Sequence, residues 1–204
     1  MTLSARTTSS TPSFSLCVYC GSRAGSRPEF AALAREVGAW IGQHGGRLVY
    51  GGGHSGLMGI LADAALAAGA QVIGVIPEAL VEKEWAHTGC TKLHVVKNMH
   101  DRKRIMAENA DAFLALPGGI GTLEEFFEVW TWRQLGYHDK PVGLLNLNGF
   151  YDSLLVFLNS AVSNGFMNET QMGLIRSDTD PQRLMKELVQ AAGTATTTAG
   201  LDQI

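Results

Sequence analysis

The sequence predicts an α/β fold: one Rossmann-like, doubly wound parallel sheet with helices on both faces. Three observations lead there. Short runs of Val, Ile, Leu and Phe alternate along the chain with helical patterns. Those runs are continuously apolar instead of alternating with polar residues, so both faces of the sheet are expected to lie under helices. The 24 glycines of the 204 residues cluster where strands hand over to helices, instead of spreading as in a flexible chain.

Element by element, Phe14 to Cys20 reads as a first buried strand and Pro28 to His44 as an amphipathic helix. Strand Arg47 to Tyr50, a glycine turn and helix Gly56 to Ala68 follow. Strands Gln71 to Ile76 and Leu93 to Val96 bracket a polar stretch, Pro77 to Thr91. Next come a basic helix, Asp101 to Ala110, and strand Ala112 to Leu116. A second glycine turn leads into helix Leu123 to Leu135. Strand Val142 to Leu147, helix Tyr151 to Ser163, a short strand near Ile175 and helix Pro181 to Ala191 complete the pattern. The chain divides into an N-terminal tail (1–13), one nucleotide-binding catalytic domain (14–191) and a flexible C-terminal tail (192–204). In such sheets ligands bind at the carboxyl ends of the strands, where both glycine clusters fall.

Composition narrows the function. Apolar residues make up 46% and charged residues 17%, with a net charge of −3. The longest basic run is Arg102-Lys103-Arg104, so no basic face is expected and polymeric nucleic acid is not an expected partner. No apolar stretch reaches membrane-spanning length, and the Ser/Thr-rich residues Met1 to Ser13 lack the apolar core of a secretory signal. Cys17 and Cys20 form a CxxC, but it lies in an apolar strand run with no second CxxC or His pair. They read as core and loop cysteines in a reducing cytoplasm.

Three segments could do chemistry. Tyr50-Gly51-Gly52-Gly53-His54-Ser55-Gly56 would expose backbone N–H groups at a helix start, which suits an anion. Gly51, Gly52 and Gly53 are therefore candidate substrate contacts, the alternative being a tight turn with close helix–sheet packing. No acidic residue ends the next strand and no GK[ST] is present, so neither the dinucleotide fingerprint nor a Walker loop fits. Leu116-Pro117-Gly118-Gly119-Ile120-Gly121-Thr122 could wrap an oxygen-rich group. Glu125 would then lie beside the cradle, although Thr122 and Glu125 also have the spacing of a capping box. Met99-His100-Asp101-Arg102-Lys103-Arg104 would place three cations near a helix N-terminus, an unfavourable arrangement that an anionic ligand would offset. The histidines show no metal-ligand spacing, and no metal is expected.

Together these segments resemble the Lonely Guy family of cytokinin-activating phosphoribohydrolases. The resemblance rests on Pro117-Gly118-Gly119-x-Gly121-Thr122-x-x-Glu125, on Tyr50-Gly51-Gly52-Gly53…Gly56-Leu57-Met58-Gly59, and on Met99-His100-Asp101-Arg102-Lys103. The stretch Thr131-Trp132-x-Gln134-Leu135-Gly136-x-His138-Asp139-Lys140-Pro141 is similar as well. It implies hydrolysis of an N⁶-substituted adenosine 5′-monophosphate to the free base and ribose 5-phosphate, with no cofactor. Arg102 and Glu125 match the family's catalytic pair. Gly118, Gly119, Gly121 and Thr122 match its phosphate and sugar contacts, and Glu84, Met99 and Lys103 match positions lining the nucleotide site. Around Glu84, Val81-Glu82-Lys83-Glu84-Trp85 departs from the usual Met-Pro-Arg-Glu. The resemblance also implies a homodimer, and the aromatic helix Phe126-Phe127…Trp130…Trp132 has more bulk than one core face needs. Two other readings remain open: a non-catalytic carrier or sensor of a nucleotide-containing ligand, and a general AMP nucleosidase. The family's frequent label, lysine decarboxylase, would require a pyridoxal phosphate lysine for which no convincing pocket is legible.

Overall fold

The structure, a computed structural model, describes residues 12–81, 86–195 and 200–201. Its strands are β1 (Ser15–Tyr19), β2 (Arg47–Tyr50), β3 (Gln71–Pro77), β4 (Lys92–Val96), β5 (Ala112–Ala115), β6 (Val142–Leu145) and β7 (Ile175–Asp178). They form one parallel sheet in the order β4-β3-β2-β1-β5-β6-β7. The helices are α1 (Pro28–Gln43), α2 (Gly56–Ala67), α3 (Glu78–Val81), α4 (Met99–Glu108), α5 (Ile120–Gln134), α6 (Asp152–Ser163), α7 (Glu169–Met172) and α8 (Pro181–Ala192). The doubly wound α/β class expected from the sequence is the class observed.

The strand order decides where a ligand can go. From β1 the chain steps outward to β4, then returns to the other side of β1 as β5 and continues to β7. The connections leaving β1 and β5 therefore part in opposite directions. A crevice opens above their carboxyl ends, the topological switch point of this kind of sheet.

Two apolar layers hold the sheet. Leu16 and Val18 of β1 face a layer built with α1, α2 and α8, whereas Cys17 and Tyr19 face a layer built with α4, α5 and α6. On β5, Leu114 joins the first layer and Phe113 and Ala115 the second. A period of two with both faces apolar is what a doubly covered parallel strand requires. Cys17 and Cys20 end up in different layers, and all three cysteines are unpaired, so the CxxC serves packing. In the first layer α1 crosses α2 closely: a Cβ on Gly38 would collide with the Leu61 carbonyl oxygen.

Most boundaries fall within a residue or two of expectation; α4 starts two residues early and α5 three. α4 begins at Met99 because Asn98 caps it, its side-chain oxygen accepting from Asp101 N at 2.8 Å. α5 begins at Ile120, with Gly119 as N-cap and no capping side chain. Thr122 is therefore inside the helix, and the capping box read into Thr122 and Glu125 does not form. The short helices α3 and α7 were also not expected; α7 is closed by a reciprocal box between Asn168 and Gln171. The expected tails fall largely outside the described residues. Within them, Ser13 N donates to Gly45 O at 2.9 Å, and Leu201 is buried in the second layer.

Candidate active site

A cavity of about 560 Å³ lies at the switch point. Its floor is the loop after β1, Cys20 to Gly25, and the loop after β5, Pro117 to Thr122. These loops are tied together: Gly21 N donates to Pro117 O at 3.2 Å, and Leu57 N of α2 donates to Gly21 O at 3.0 Å. Leu57 and Met58 of α2 form one wall, with Phe30 and Phe150 completing an apolar side. Arg102 and Glu125 supply the buried charge.

The glycines of the β5 loop permit this geometry. A Cβ on Gly118 would collide with the Thr122 side chain, whereas positions 119 and 121 have open space around them. α5 thus starts at the cavity with no capping side chain and no acidic residue in its first turn. Its first N–H groups and the positive end of its dipole face the space where a ligand would sit.

Arg102 reaches the site from α4 and is fixed from several sides. Its Nε donates to Val75 O at 3.1 Å and its Nη2 to Gly51 O at 3.2 Å. Its Nη1 lies 3.6 Å from Glu125 Oε1, with the two side chains only 7% and 12% exposed. It also approaches the Met99 sulfur at 3.8 Å. A carboxylate and a guanidinium from different helices are thus held together at the cavity edge.

Of the residues expected in the site, Arg102, Gly118, Gly119, Gly121, Thr122 and Glu125 line the cavity. Gly51, Gly52 and Gly53 do not. A Cβ on Gly51 would strike Arg102 Nη2, so this glycine makes room for the arginine. Gly52 turns with φ +77° against β3, and Gly53 bridges to Ala86. The packing alternative therefore describes this cluster better than anion binding. Met99 stands beside Arg102 without lining the cavity, and Glu84 falls outside the described residues.

The basic run of α4 is also balanced differently from expectation. Lys103 Nζ donates to Glu124 Oε1 at 2.7 Å and to Glu128 Oε1 at 2.8 Å. Burial pulls the Lys103 ammonium down, but its hydrogen bonds to the two carboxylates outweigh that and leave it above its ordinary value. Arg104 pairs with Glu108 and lies 3.7 Å from Asp101. Each cation has its own carboxylate, so no ligand is needed to offset them. Missing from the sequence reading was the loop Gly21-Ser22-Arg23-Ala24-Gly25. Its signal was the strand order, which alone puts β1 beside β5.

One grouping bears on metals. His54, Asp63 and His87 bring ligand atoms within 4.8 Å of one another. Gly89 N donates to His87 Nδ1 at 3.1 Å, so that nitrogen accepts and the ring proton sits on Nε2, 3.0 Å from Asp63 Oδ1. A metal ligand usually donates through its second ring nitrogen. The arrangement works as a hydrogen-bonded strap between α2 and the loop before β4.

A family model described as "possible lysine decarboxylase" matches residues 58–188. A cytokinin riboside 5′-monophosphate phosphoribohydrolase of Arabidopsis thaliana is 47% identical over 173 residues, covering 85% of this chain and 81% of that protein. One from Rhodococcoides fascians is 52% identical over 154 residues, covering 75% of this chain and 78% of that protein. A solved structure of the molybdenum cofactor carrier protein of Chlamydomonas reinhardtii shares the fold, with a TM-score of 0.67 at 22% identity over 90% of this chain and 99% of that one.

The decarboxylase description raises pyridoxal chemistry, which needs a lysine amine in the cavity. Among the described residues no lysine lines it: Lys103 is held by two carboxylates and Lys140 Nζ donates to Ala107 O at 2.8 Å. The residues present do not fit that cofactor. They fit the identities just given, and the chain belongs to the Lonely Guy family of cytokinin riboside 5′-monophosphate phosphoribohydrolases.

Proposed function

We propose that this chain hydrolyses N⁶-substituted adenosine 5′-monophosphates to the free base and ribose 5-phosphate. The observation that carries the reading is the Arg102–Glu125 pair at 3.6 Å, beside the glycine-rich start of α5 in one cavity. The curated relatives, at 47% and 52% identity, carry that activity in their names. Simple carriage of a ligand has little need of a buried carboxylate at that point.

In the reaction the bond between ribose C1′ and the purine nitrogen breaks, and water oxygen joins C1′. The water's proton ends on the departing base. Positive charge builds on the ribose ring, and Glu125 is assigned to stabilise it and to orient or deprotonate the water, by analogy with glycoside hydrolysis. Arg102 is assigned to offset negative charge on the leaving purine or the phosphate. The uncapped start of α5, with Gly118, Gly119, Gly121 and Thr122, suits the phosphate and sugar.

Met99, Lys103 and Glu84 belong to the nucleotide site in this reading on the strength of the family resemblance. Lys103 acts there through Glu124 and Glu128. The chain works as a homodimer, a reading supported by Phe127 and Trp132, which stay part-exposed on α5, and by Leu135, 62% exposed just beyond it. Light scattering of the purified protein tests this: a monomer mass overturns it. Among the described residues no helix is long and apolar enough to cross a membrane. The unpaired cysteines suit a reducing cytoplasm.

The test of function is release of free base from isopentenyladenosine monophosphate and, separately, from AMP. Faster release from the modified nucleotide is expected. Equal or faster release from AMP would move the assignment to general nucleotide salvage, and binding without release would make the protein a carrier.

A further inference from the structure

The cavity carries three charged side chains: Arg23, Arg102 and Glu125. Arg102 and Glu125 offset one another in charge, and Arg102 is held in place by its Nε bond to Val75 O and its Nη2 bond to Gly51 O. Among the described residues Arg23 has neither an ion pair nor a side-chain hydrogen bond. The cavity therefore holds one cation in excess, on the loop after β1.

The backbone beneath that side chain is fixed. Gly56, the first residue of α2, has φ +61°, and a Cβ there would collide with Ser22 and with Arg23 N. Gly21 N is bonded to Pro117 O, and Gly21 O receives Leu57 N. The Ser22–Arg23 backbone is clamped between the starts of α2 and α5, while the exposed Arg23 side chain remains free to swing. Across the same cavity stands the uncapped α5 start, with no acidic residue in its first turn. An unpaired guanidinium and an unneutralised helix N-terminus, facing one space, both favour an anion.

We infer that Arg23 binds the 5′-phosphate of the substrate and sets the preference for nucleotides over unphosphorylated nucleosides. This rests on the proposed hydrolase reading for its substrate, a phosphate monoester of charge about −1.5 to −2 at neutral pH. The α5 start supplies roughly half a positive charge and Arg23 a full one. Arg23 also supplies a planar, bidentate fork that matches phosphate oxygens.

The test compares the full-length protein with Arg23→Ala and Arg23→Lys. Base release from isopentenyladenosine monophosphate should show KM raised by about tenfold or more in Arg23→Ala, with kcat changed far less. Arg23→Lys should fall between the two. Ribose 5-phosphate should lose affinity by a similar factor in calorimetry, whereas binding of free adenine should not move. An unchanged KM, or equal ribose 5-phosphate affinity in wild type and Arg23→Ala, would overturn the inference. So would a wild-type protein that does not bind ribose 5-phosphate. If wild type binds ribose 5-phosphate but releases no base from any nucleotide, the hydrolase reading fails alone, and the calorimetric comparison still decides the role of Arg23.

Discussion

Glu125 sits in the second turn of α5, next to a helix start that needs no help from it. Gly119 occupies the N-cap and no side chain closes the end, and the Glu125 carboxylate faces Arg102 across 3.6 Å. That separates catalysis from folding. Glu125→Gln keeps the size and hydrogen-bonding reach of the side chain but removes its charge. Base release should then fall by roughly 10²-fold or more, while the protein stays folded at the assay temperature, with only a modest drop in the thermal unfolding midpoint from leaving Arg102 without its counter-charge. Full turnover in the variant would remove Glu125 from the mechanism, and a large fall in midpoint would return it to a structural role. At this scale the site was partly legible. The glycines and Thr122 after β5 announced themselves by type and spacing. Arg102 and Glu125 gained their roles from the family resemblance. Arg23 was invisible because one arginine in a polar loop has no signature. Its significance comes only from what surrounds it and from the absence of a partner among the described residues.

Between elements, α4 and α5 are tied together by the Lys103 bridge to Glu124 and Glu128. Burial pushes the Glu128 carboxyl up, against the stabilising pull of Lys103. Its Oε2 is a buried oxygen without a hydrogen-bond partner among the described residues. Lys103→Met would keep the packing of the stem and leave two carboxylates facing each other uncompensated. The variant should lose about 1–2 kcal/mol at neutral pH, less than a fully buried pair because Glu124 is half-exposed. The deficit should narrow as the pH falls and the Glu128 carboxylate, raised by burial, takes up a proton; urea unfolding at neutral and mildly acidic pH checks both points. A deficit that did not change with pH would mean the loss is packing alone. The elements themselves were legible, because a doubly buried strand must be apolar throughout and an amphipathic helix must repeat every three to four residues. Their neighbours were not. Periodicity says nothing about β1 lying beside β5, so the crevice was assigned to the glycine turns after β2 and β5, whereas the loops after β1 and β5 form its floor. For the same reason the sequence left Gly51 open between ligand contact and packing; it admits an arginine from a helix some fifty residues away.

Across the whole molecule, the second core layer is closed by the turn that follows α5, and that turn depends on an uncharged histidine. Gly136 turns the chain at φ +82°, and His138 is buried with Nε2 3.0 Å from Val129 O. Lys140 N donates to its Nδ1 at 3.2 Å. Nδ1 must accept, so the ring proton sits on Nε2 and the imidazole is neutral; a second proton would displace the Lys140 bond. Burial, helped by the nearby Lys140 charge, pushes the His138 pKa from 6.5 down to about 4. The unfolded chain therefore binds more protons than the folded one between those values, and stability must fall as pH drops through that window. Above the unfolded value the contribution is fully present; by the folded value it has been lost, amounting to about 3 kcal/mol. Because His138 joins α5 to β6, the loss should appear as earlier cooperative unfolding of the entire domain. His138→Gln can still donate to Val129 O but cannot take up a proton. Other groups also titrate in this range, so the informative quantity is the difference between two chains. Urea unfolding from pH 7 to pH 4 should show wild-type stability declining more steeply than that of His138→Gln, even where the variant starts out less stable. Parallel curves would mean that the imidazole stays neutral in the unfolded chain or charged in the folded one, and the second is incompatible with the Lys140 hydrogen bond.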